Sequence, residues 1–176
     1  FDKNAVELLD HRVKIYSEAG IRVFLNLRLG APSDGMSAAL SSMYHDGVRD
    51  GADCYAINAK NSDSLSAYTA AVTFLAERYS GGERGLASDF VIGYEMNNGI
   101  HSNRAGAVTL DELSLDSAAL LRAAYTAARS KNAAARVYMS LGNNFNASVA
   151  AETGETDFPA REFLTAAVAA ARSGGN

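Results

Sequence analysis

The sequence predicts an α/β protein with a parallel β-sheet. Short apolar runs rich in β-branched residues alternate along the chain with longer segments whose apolar residues recur at helical spacing. Parallel strands need a crossover of about helix size between them, and this alternation supplies one each time. The 176 residues, 48% of them hydrophobic, are enough for one globular domain and too few for two comfortable ones.

Four segments have the apolar spacing of amphipathic helices. In the first of them Val6, Leu9, Val13 and Tyr16 share one face, and Gly20 supplies a helix stop. The later segments repeat the pattern, and the last is rich in alanine. The predicted helices cover residues 3–19, 64–80, 111–131 and 160–173.

Three apolar runs have the length and composition of buried strands: 21–29, 89–95 and 135–141. A parallel sheet flanked by helices is expected to be buried on both faces. An extended piece at Cys54–Asn58 would add a fourth strand, and a short helix is expected near 37–44.

The predicted connections differ in length between the two ends of the strands. Helix-to-strand links are short, whereas the strand-to-helix links at 30–63, 96–110 and 142–159 are long, and 30–63 is the most elaborated. These long links all leave the carboxyl ends of the strands, where α/β proteins build their ligand sites. A functional site is therefore expected at that edge.

A carboxylate, Glu95, stands at the end of the second predicted strand. Strand alternation would place Val91, Gly93 and Glu95 on one face, with Gly93 leaving room beneath the acid. An acid half shielded from water suits a general acid working near neutral pH. The alternative is structural, since Glu95 could cap the following turn or pair with Arg28.

Polar side chains accompany the ends of the other two strands. Asn26 and Arg28 share a face near the end of the first, and Asn143 and Asn144 lie just past the third. Amide and guanidinium groups at such positions can bind a hydroxyl-rich ligand. Their structural alternatives are turn formation for the asparagines and an ordinary surface position for Arg28.

Charge and composition exclude several classes of function. The net charge of −4 and the scattered Lys and Arg residues argue against a nucleic-acid partner. The single Cys54 permits no internal disulfide and leaves the compartment open. His11, His45 and His101 lack partners at metal-ligand spacing, and no phosphate-binding glycine motif is present, so neither a metal nor a cofactor is predicted. The sequence also suggests neither a signal peptide nor a membrane span.

The segment FVIGYEMNN resembles the signature of the fourth strand in glycoside hydrolases of the large TIM-barrel clan. More closely, the segments GADCYAINAKNSDSLSAYTAAVTFLAERYS, DFVIGYEMNN and ARVYMSLGNNFN, in this order, resemble a bacterial domain-of-unknown-function family of glycosidase-like barrels. The resemblance covers most of residues 50–146. It implies that the chain is part of a (β/α)8 barrel, from about its third strand to its fifth helix, with the remainder of the barrel supplied by the same protein.

The same resemblance implies roles for residues in the second strand-end segment. Glu95 stands where the clan has its acid/base, and Asn97 and Asn98 stand in the loop that lines the sugar site. Tyr94 occupies the position of an asparagine that usually contacts the sugar 2-hydroxyl. The implied substrate is a carbohydrate.

A retaining glycosidase also needs a second carboxyl group. In the clan this group ends the seventh strand, which would lie beyond this chain. Glu152, Glu155 and Asp157 are local acids, but their place in the loop after the third strand predicts that they are solvated.

Three functions remain open from sequence. The first is a glycoside hydrolase that uses Glu95, and the second is a barrel that binds carbohydrate without cleaving it, which the tyrosine at position 94 would favour. The third is a small doubly wound α/β binding domain complete in these 176 residues.

Overall fold

The order of helices and strands follows the predicted alternation. The computed structural model describes residues 2–46, 52–150, 152 and 154–174. Residues 47–51 of the predicted loop 30–63, with the start of the family-like segment, lie outside the described residues. The elements are α1 (Lys3–Glu18), β1 (Phe24–Leu27), α2 (Ala38–Ser41), α3 (Ser62–Arg78), β2 (Asp89–Ile92), α4 (Leu110–Lys131), β3 (Arg136–Met139), β4 (Val149–Ala150), β5 (Thr156–Asp157) and α5 (Ala160–Ser173).

Side chains that cap free backbone N–H groups set where three of the four long helices begin. Asp2 accepts a hydrogen bond from the N–H of Ala5 at the start of α1, and Asn61 caps α3 in the same way. Thr109 and Glu112 form a reciprocal capping box at the start of α4. The four predicted long helices are confirmed, with ends within two residues of prediction. None of the helices in the described part of the chain is long and apolar enough to cross a membrane, as the sequence predicted.

The three longer strands form one parallel sheet in the order β1-β2-β3. Leu25, Phe90 and Val137 lie in register across it, and α3 and α4 provide the two crossovers. The predicted α/β class with parallel strands is therefore confirmed. Each strand has four residues and is shorter than its apolar run predicted.

One layer of helices covers one face of this sheet. Leu25, Phe90 and Ile92 point into a core that also contains Val72 of α3 and Phe163 of α5. Phe90 and Phe163 are completely buried. The core thus lies between the sheet and its helices.

The opposite face of the sheet is exposed, so the prediction that both faces are buried is wrong for the described residues. Phe24 is 48% exposed and Tyr138 36%, and their ring centroids lie 5.8 Å apart. Because the strands follow one another in sequence order, right-handed crossovers place their helices on one side only. The described residues supply no second layer.

A charged cluster lies at the amino end of this uncovered face. Asp89 is fully covered and accepts hydrogen bonds from Arg22 Nε at 2.8 Å and from the Tyr138 hydroxyl at 3.0 Å. Arg136 Nε lies 3.1 Å from the same carboxylate. These partners, Arg22 first, lower the pKa of Asp89 to about 2 and compensate its loss of contact with water.

The piece Cys54–Asn58 is not a strand of the sheet, so that prediction is wrong. Within the described residues Tyr55 makes only isolated bridges, to Leu29 and Arg104. Its N–H donates to the Leu29 carbonyl at 2.8 Å. The segment therefore joins the loop after β1 to the loop after β2. Of the short helix predicted near 37–44, only Ala38–Ser41 forms.

A buried histidine and aspartate meet where the loop after β1 packs on α4. His45 Nε2 lies 3.6 Å from Asp116 Oδ2, and both side chains are nearly covered. Burial raises the pKa of Asp116 to about 6 and lowers the pKa of His45. Lys60 and Glu112 lie nearby and pair with each other at 3.1 Å. Lys60 lowers the pKa of both Asp116 and His45, and Glu112 raises the pKa of both.

Ionisation of Asp116 therefore works against folding. Because its folded-state pKa lies above that of the unfolded chain, stability should fall as the pH rises from about 4 through about 6. The isosteric Asp116→Asn change should raise the free energy of unfolding at pH 7.5 by about 2 kcal/mol and change it little at pH 4.5. Urea titrations at the two pH values measure the difference. Asp111→Asn, on the exposed side of α4, is the control, and an equal gain at both pH values would contradict the expectation.

Candidate functional site

The backbone after β2 turns sharply at the position of the candidate acid. The strand ends at Ile92 and not at Glu95, and Gly93 and Glu95 adopt positive φ angles of 66° and 48°. Glu95 is the only non-glycine residue in the described chain with positive φ, a conformation that disfavours L side chains. The predicted strand alternation through Glu95 is therefore wrong, because the chain leaves the strand three residues earlier.

The end of β3 holds this turn in place. The N–H of Glu95 donates to Ser140 Oγ at 3.2 Å, and the N–H of Met96 donates to the Ser140 carbonyl at 2.9 Å. Backbone strain of this kind costs about 1–3 kcal/mol and persists only where the surroundings impose it. Ser140 thus positions the acid, a role that sequence reasoning missed because the contact joins residues 45 positions apart.

The Glu95 carboxylate is half-buried and held by two neutral donors. Its Oε2 atom accepts hydrogen bonds from Ser102 Oγ at 2.8 Å and from Asn98 Nδ2 at 3.2 Å. No described residue bonds to Oε1, and no ion pair with Arg28 forms. Hydrogen bonds to Oε2 therefore orient the carboxyl group, and Oε1 has no hydrogen-bond partner among the described residues. Ser102 was not predicted, since a loop serine has no distinguishing sequence pattern.

The space beside Glu95 comes from a different glycine than predicted. A Cβ on Gly93 would lie 2.5 Å from Met96 Cγ, so Gly93 makes room for that methionine. A Cβ on Gly142 would lie 3.5 Å from Glu95 Cβ and 3.1 Å from Asn144 Oδ1. Gly142, in the loop after β3, is therefore the glycine that borders the acid.

Asn97 lies inside the protein and connects two loops. Its Oδ1 accepts from the Gly142 N–H at 2.7 Å, and its Nδ2 donates to Asn144 Oδ1 at 2.7 Å and to the Phe158 carbonyl at 2.8 Å. The side chain is completely buried. Asn97 and Asn144, two of the predicted site residues, are therefore in contact at this edge, and both hold loops in place.

Arg28 and Tyr94 meet at the same edge. The N–H of Gly93 donates to the Leu27 carbonyl at 2.9 Å, which sets the ends of β1 and β2 side by side. The Arg28 guanidinium carbon lies 4.7 Å from the centre of the Tyr94 ring. Arg28 is exposed and Tyr94 half-buried, so the pair lies beside Glu95 and faces solvent.

The two remaining predicted residues lie apart from these contacts. Asn26 is exposed on the uncovered face of β1, in register with Val91. Asn143 is exposed in the loop after β3. His101, in the loop that follows Glu95, is also exposed.

The expectation that Glu155 and Asp157 are solvated is wrong, whereas Glu152 is exposed. Glu155 is buried and pairs with Arg104 at 2.6 Å. Asp157 is buried and accepts a hydrogen bond from the Ile100 N–H at 2.9 Å. Both acids fasten the loop after β2, because the β4-β5 hairpin folds back against it. In the described ranges no three His, Cys, Asp or Glu side chains are grouped to hold a metal ion.

Comparison with known protein families matches residues 1–176 to the Family of unknown function (DUF5722). The chain belongs to DUF5722. Membership in DUF5722 agrees with the resemblance to a domain-of-unknown-function family, and the relation to the glycoside hydrolase clan stays a prediction. No curated protein and no solved structure matches the chain.

Alanine substitution of the adjacent asparagines of this DUF5722 chain should lower the free energy of unfolding by different amounts. Asn97→Ala leaves buried partners unsatisfied in two loops and should lower the free energy of unfolding by about 2–4 kcal/mol. Asn98→Ala removes one hydrogen bond to a half-buried carboxylate and a long one, 3.4 Å, from the N–H of the exposed His101, and should cost about 1 kcal/mol or less. Chemical denaturation of both variants measures the contrast, and equal losses would contradict the assigned linking role of Asn97.

Proposed function

We propose that this DUF5722 chain forms part of a glycoside hydrolase that cleaves O-glycosidic bonds in an oligo- or polysaccharide, with Glu95 as general acid/base. One observation carries the proposal. The Glu95 carboxylate is half-buried at the carboxyl edge of a parallel sheet, oriented through Oε2 and without a hydrogen-bond partner at Oε1 among the described residues.

The geometry suits proton transfer to and from a bound sugar. As an acid, Glu95 would donate a proton from Oε1 to the oxygen of the breaking glycosidic bond. As a base, it would then take a proton from the attacking water. Ser102, Asn98 and the bond from the Glu95 N–H to Ser140 restrict the carboxyl group to one orientation, which reduces the entropic cost of the transfer.

The other predicted residues divide into two roles in this proposal. Tyr94, Arg28, Asn98, Asn143 and Asn26 would contact the carbohydrate, since each lies at or near the edge and is exposed or half-buried. Asn97 and Asn144 would not contact the carbohydrate. They would instead hold the loop after β2, which carries the acid, against the loop after β3.

We further propose that the sheet is a segment of a (β/α)8 barrel. Sequential parallel strands, one helical layer and a second face that no described helix covers are the features of such a segment. In the described chain β1 and β3 each pair with β2 alone, which leaves their outer edges open to further strands. A doubly wound sheet would carry helices on both faces, so the single layer favours the barrel.

The rest of the barrel, from the same protein, would supply the second carboxyl group. Among the described residues no other carboxylate contacts Glu95, and the buried Glu155 and Asp157 are engaged in loop contacts. The second candidate function, carbohydrate binding without cleavage, is favoured by one observation. Tyr94 replaces the asparagine that the resembling clan uses beside its acid, and a phenol cannot reproduce the paired donor and acceptor of an amide.

The catalytic role of Glu95 is tested in the full-length protein on a panel of oligosaccharides. Glu95→Gln should reduce the release of reducing ends about 10²–10⁴-fold while oligosaccharide binding persists, because the amide cannot transfer the proton. Glu152→Gln, an exposed acid of the loop after β3, is the matched control and should retain activity. Unchanged turnover in Glu95→Gln would refute the proposal. Binding by the wild type with no reducing ends at any pH would establish the second candidate.

The barrel is tested by substitution on the uncovered face. In a closed barrel Phe24 would lie inside, so Phe24→Asn should lower the free energy of unfolding of the full-length protein by about 3 kcal/mol. Leu164→Asn on α5 is the control, since Leu164 is 43% exposed against 48% for Phe24. Equal, small losses in thermal unfolding of the two variants would contradict the closed barrel.

A further inference from the structure

Arg28 differs from the other arginines near the sheet in its partners. Arg22 and Arg136 pair with Asp89, and Arg104 pairs with Glu155. Arg28 makes no ion pair within the part of the chain that the structure describes, and its guanidinium group lies over the face of the Tyr94 ring. Among the described residues, this exposed cation at the candidate site therefore has no counter-charge.

The contact with Tyr94 orients this cation. The guanidinium carbon lies 4.7 Å from the ring centre, and Arg28 follows directly the Leu27 carbonyl that binds Gly93. This contact uses the electron-rich face of the ring, and no guanidinium N–H of Arg28 donates a hydrogen bond to another described residue, so these groups can donate to a ligand. A side chain held in this way loses little further entropy when it binds a ligand.

The acid next to Tyr94 does not use this charge. Glu95 is held by the neutral groups of Ser102 and Asn98, so Arg28 is available to a ligand. A guanidinium edge matches the two oxygens of a carboxylate or a sulfate, with which it forms paired charge-assisted hydrogen bonds. The hydroxyl groups of a neutral sugar offer no such charge.

We infer that the saccharide bound at this edge is acidic, and that Arg28 binds its carboxylate or sulfate group beside Glu95. This assignment rests on the proposed function and names its substrate class. Arg28 is then the residue that discriminates acidic from neutral chains, and its contact with Tyr94 accounts for an aromatic residue immediately before the acid.

The test measures binding in the full-length protein, with Glu95→Gln as background so that no probe is cleaved. The probes are tetragalacturonate, a sulfated carrageenan tetrasaccharide and neutral cellotetraose, titrated by calorimetry at low and at moderate salt. One acidic probe should bind at least about 10-fold more tightly than cellotetraose, with an advantage that shrinks as salt rises. Whichever acidic probe binds more tightly shows whether the site prefers a carboxylate or a sulfate.

Arg28→Gln should weaken binding of the preferred acidic probe about 10–100-fold and change cellotetraose binding little. Arg28→Lys should restore part of the affinity, since it keeps the charge and loses the paired geometry. Arg129→Gln is the matched control, because the Arg129 guanidinium carbon also lies over a tyrosine ring, 5.6 Å from the ring centre of Tyr125 in α4.

Two outcomes would overturn the inference: acidic probes that bind no more tightly than cellotetraose, or an Arg28→Gln variant that weakens all probes equally. Either would leave the catalytic role of Glu95 intact. Conversely, full turnover by Glu95→Gln would refute the proposed function while acid-selective binding through Arg28 still stood.

Discussion

The arrangement of the candidate site depends on the buried amide of Asn97. A completely buried amide must have its hydrogen bonds satisfied, and here the partners are Gly142, Asn144 and Phe158. The loop after β2 and the loop after β3 therefore cannot move apart without exposing unpaired polar groups. Glu95 is two residues from this anchor, so the position of the acid follows from the packing of the two loops.

A second constraint comes from the backbone of Glu95 itself. Its positive φ turns the chain out of the strand, and Ser140 keeps it there through the N–H of Glu95 and that of Met96. Such strain clusters at functional sites and persists only where the surrounding structure holds the backbone in place. The buried Glu155 and Asp157 fasten the far side of the same loop. These contacts thus hold the edge of the sheet around one half-buried carboxylate.

Sequence patterns predicted the helices and the presence of the strands better than they predicted where the strands end. Helical spacing and capping residues such as Thr109 are local, so all four long helices lie where they were expected. The second strand was predicted to reach Glu95, yet it ends at Ile92, because the turn is imposed by Ser140 from a different strand. The predicted burial of both sheet faces failed for a related reason: covering the second face requires a layer that the described residues do not contain.

By itself the sequence determined the α/β class, the parallel sheet and the edge at which polar residues collect, since these follow from local periodicity and from the direction of the strands. It also singled out Glu95 and Asn98 before their contact was known. Only the tertiary structure decided that Asn97 is an internal link, that Gly142 borders the acid and that Ser102 orients it. The roles of Asn97 and Gly142 depend on which loops meet across the sheet edge, which long-range packing sets, and the role of Ser102 depends on how the loop after β2 folds back on itself. No local sequence pattern encodes either arrangement.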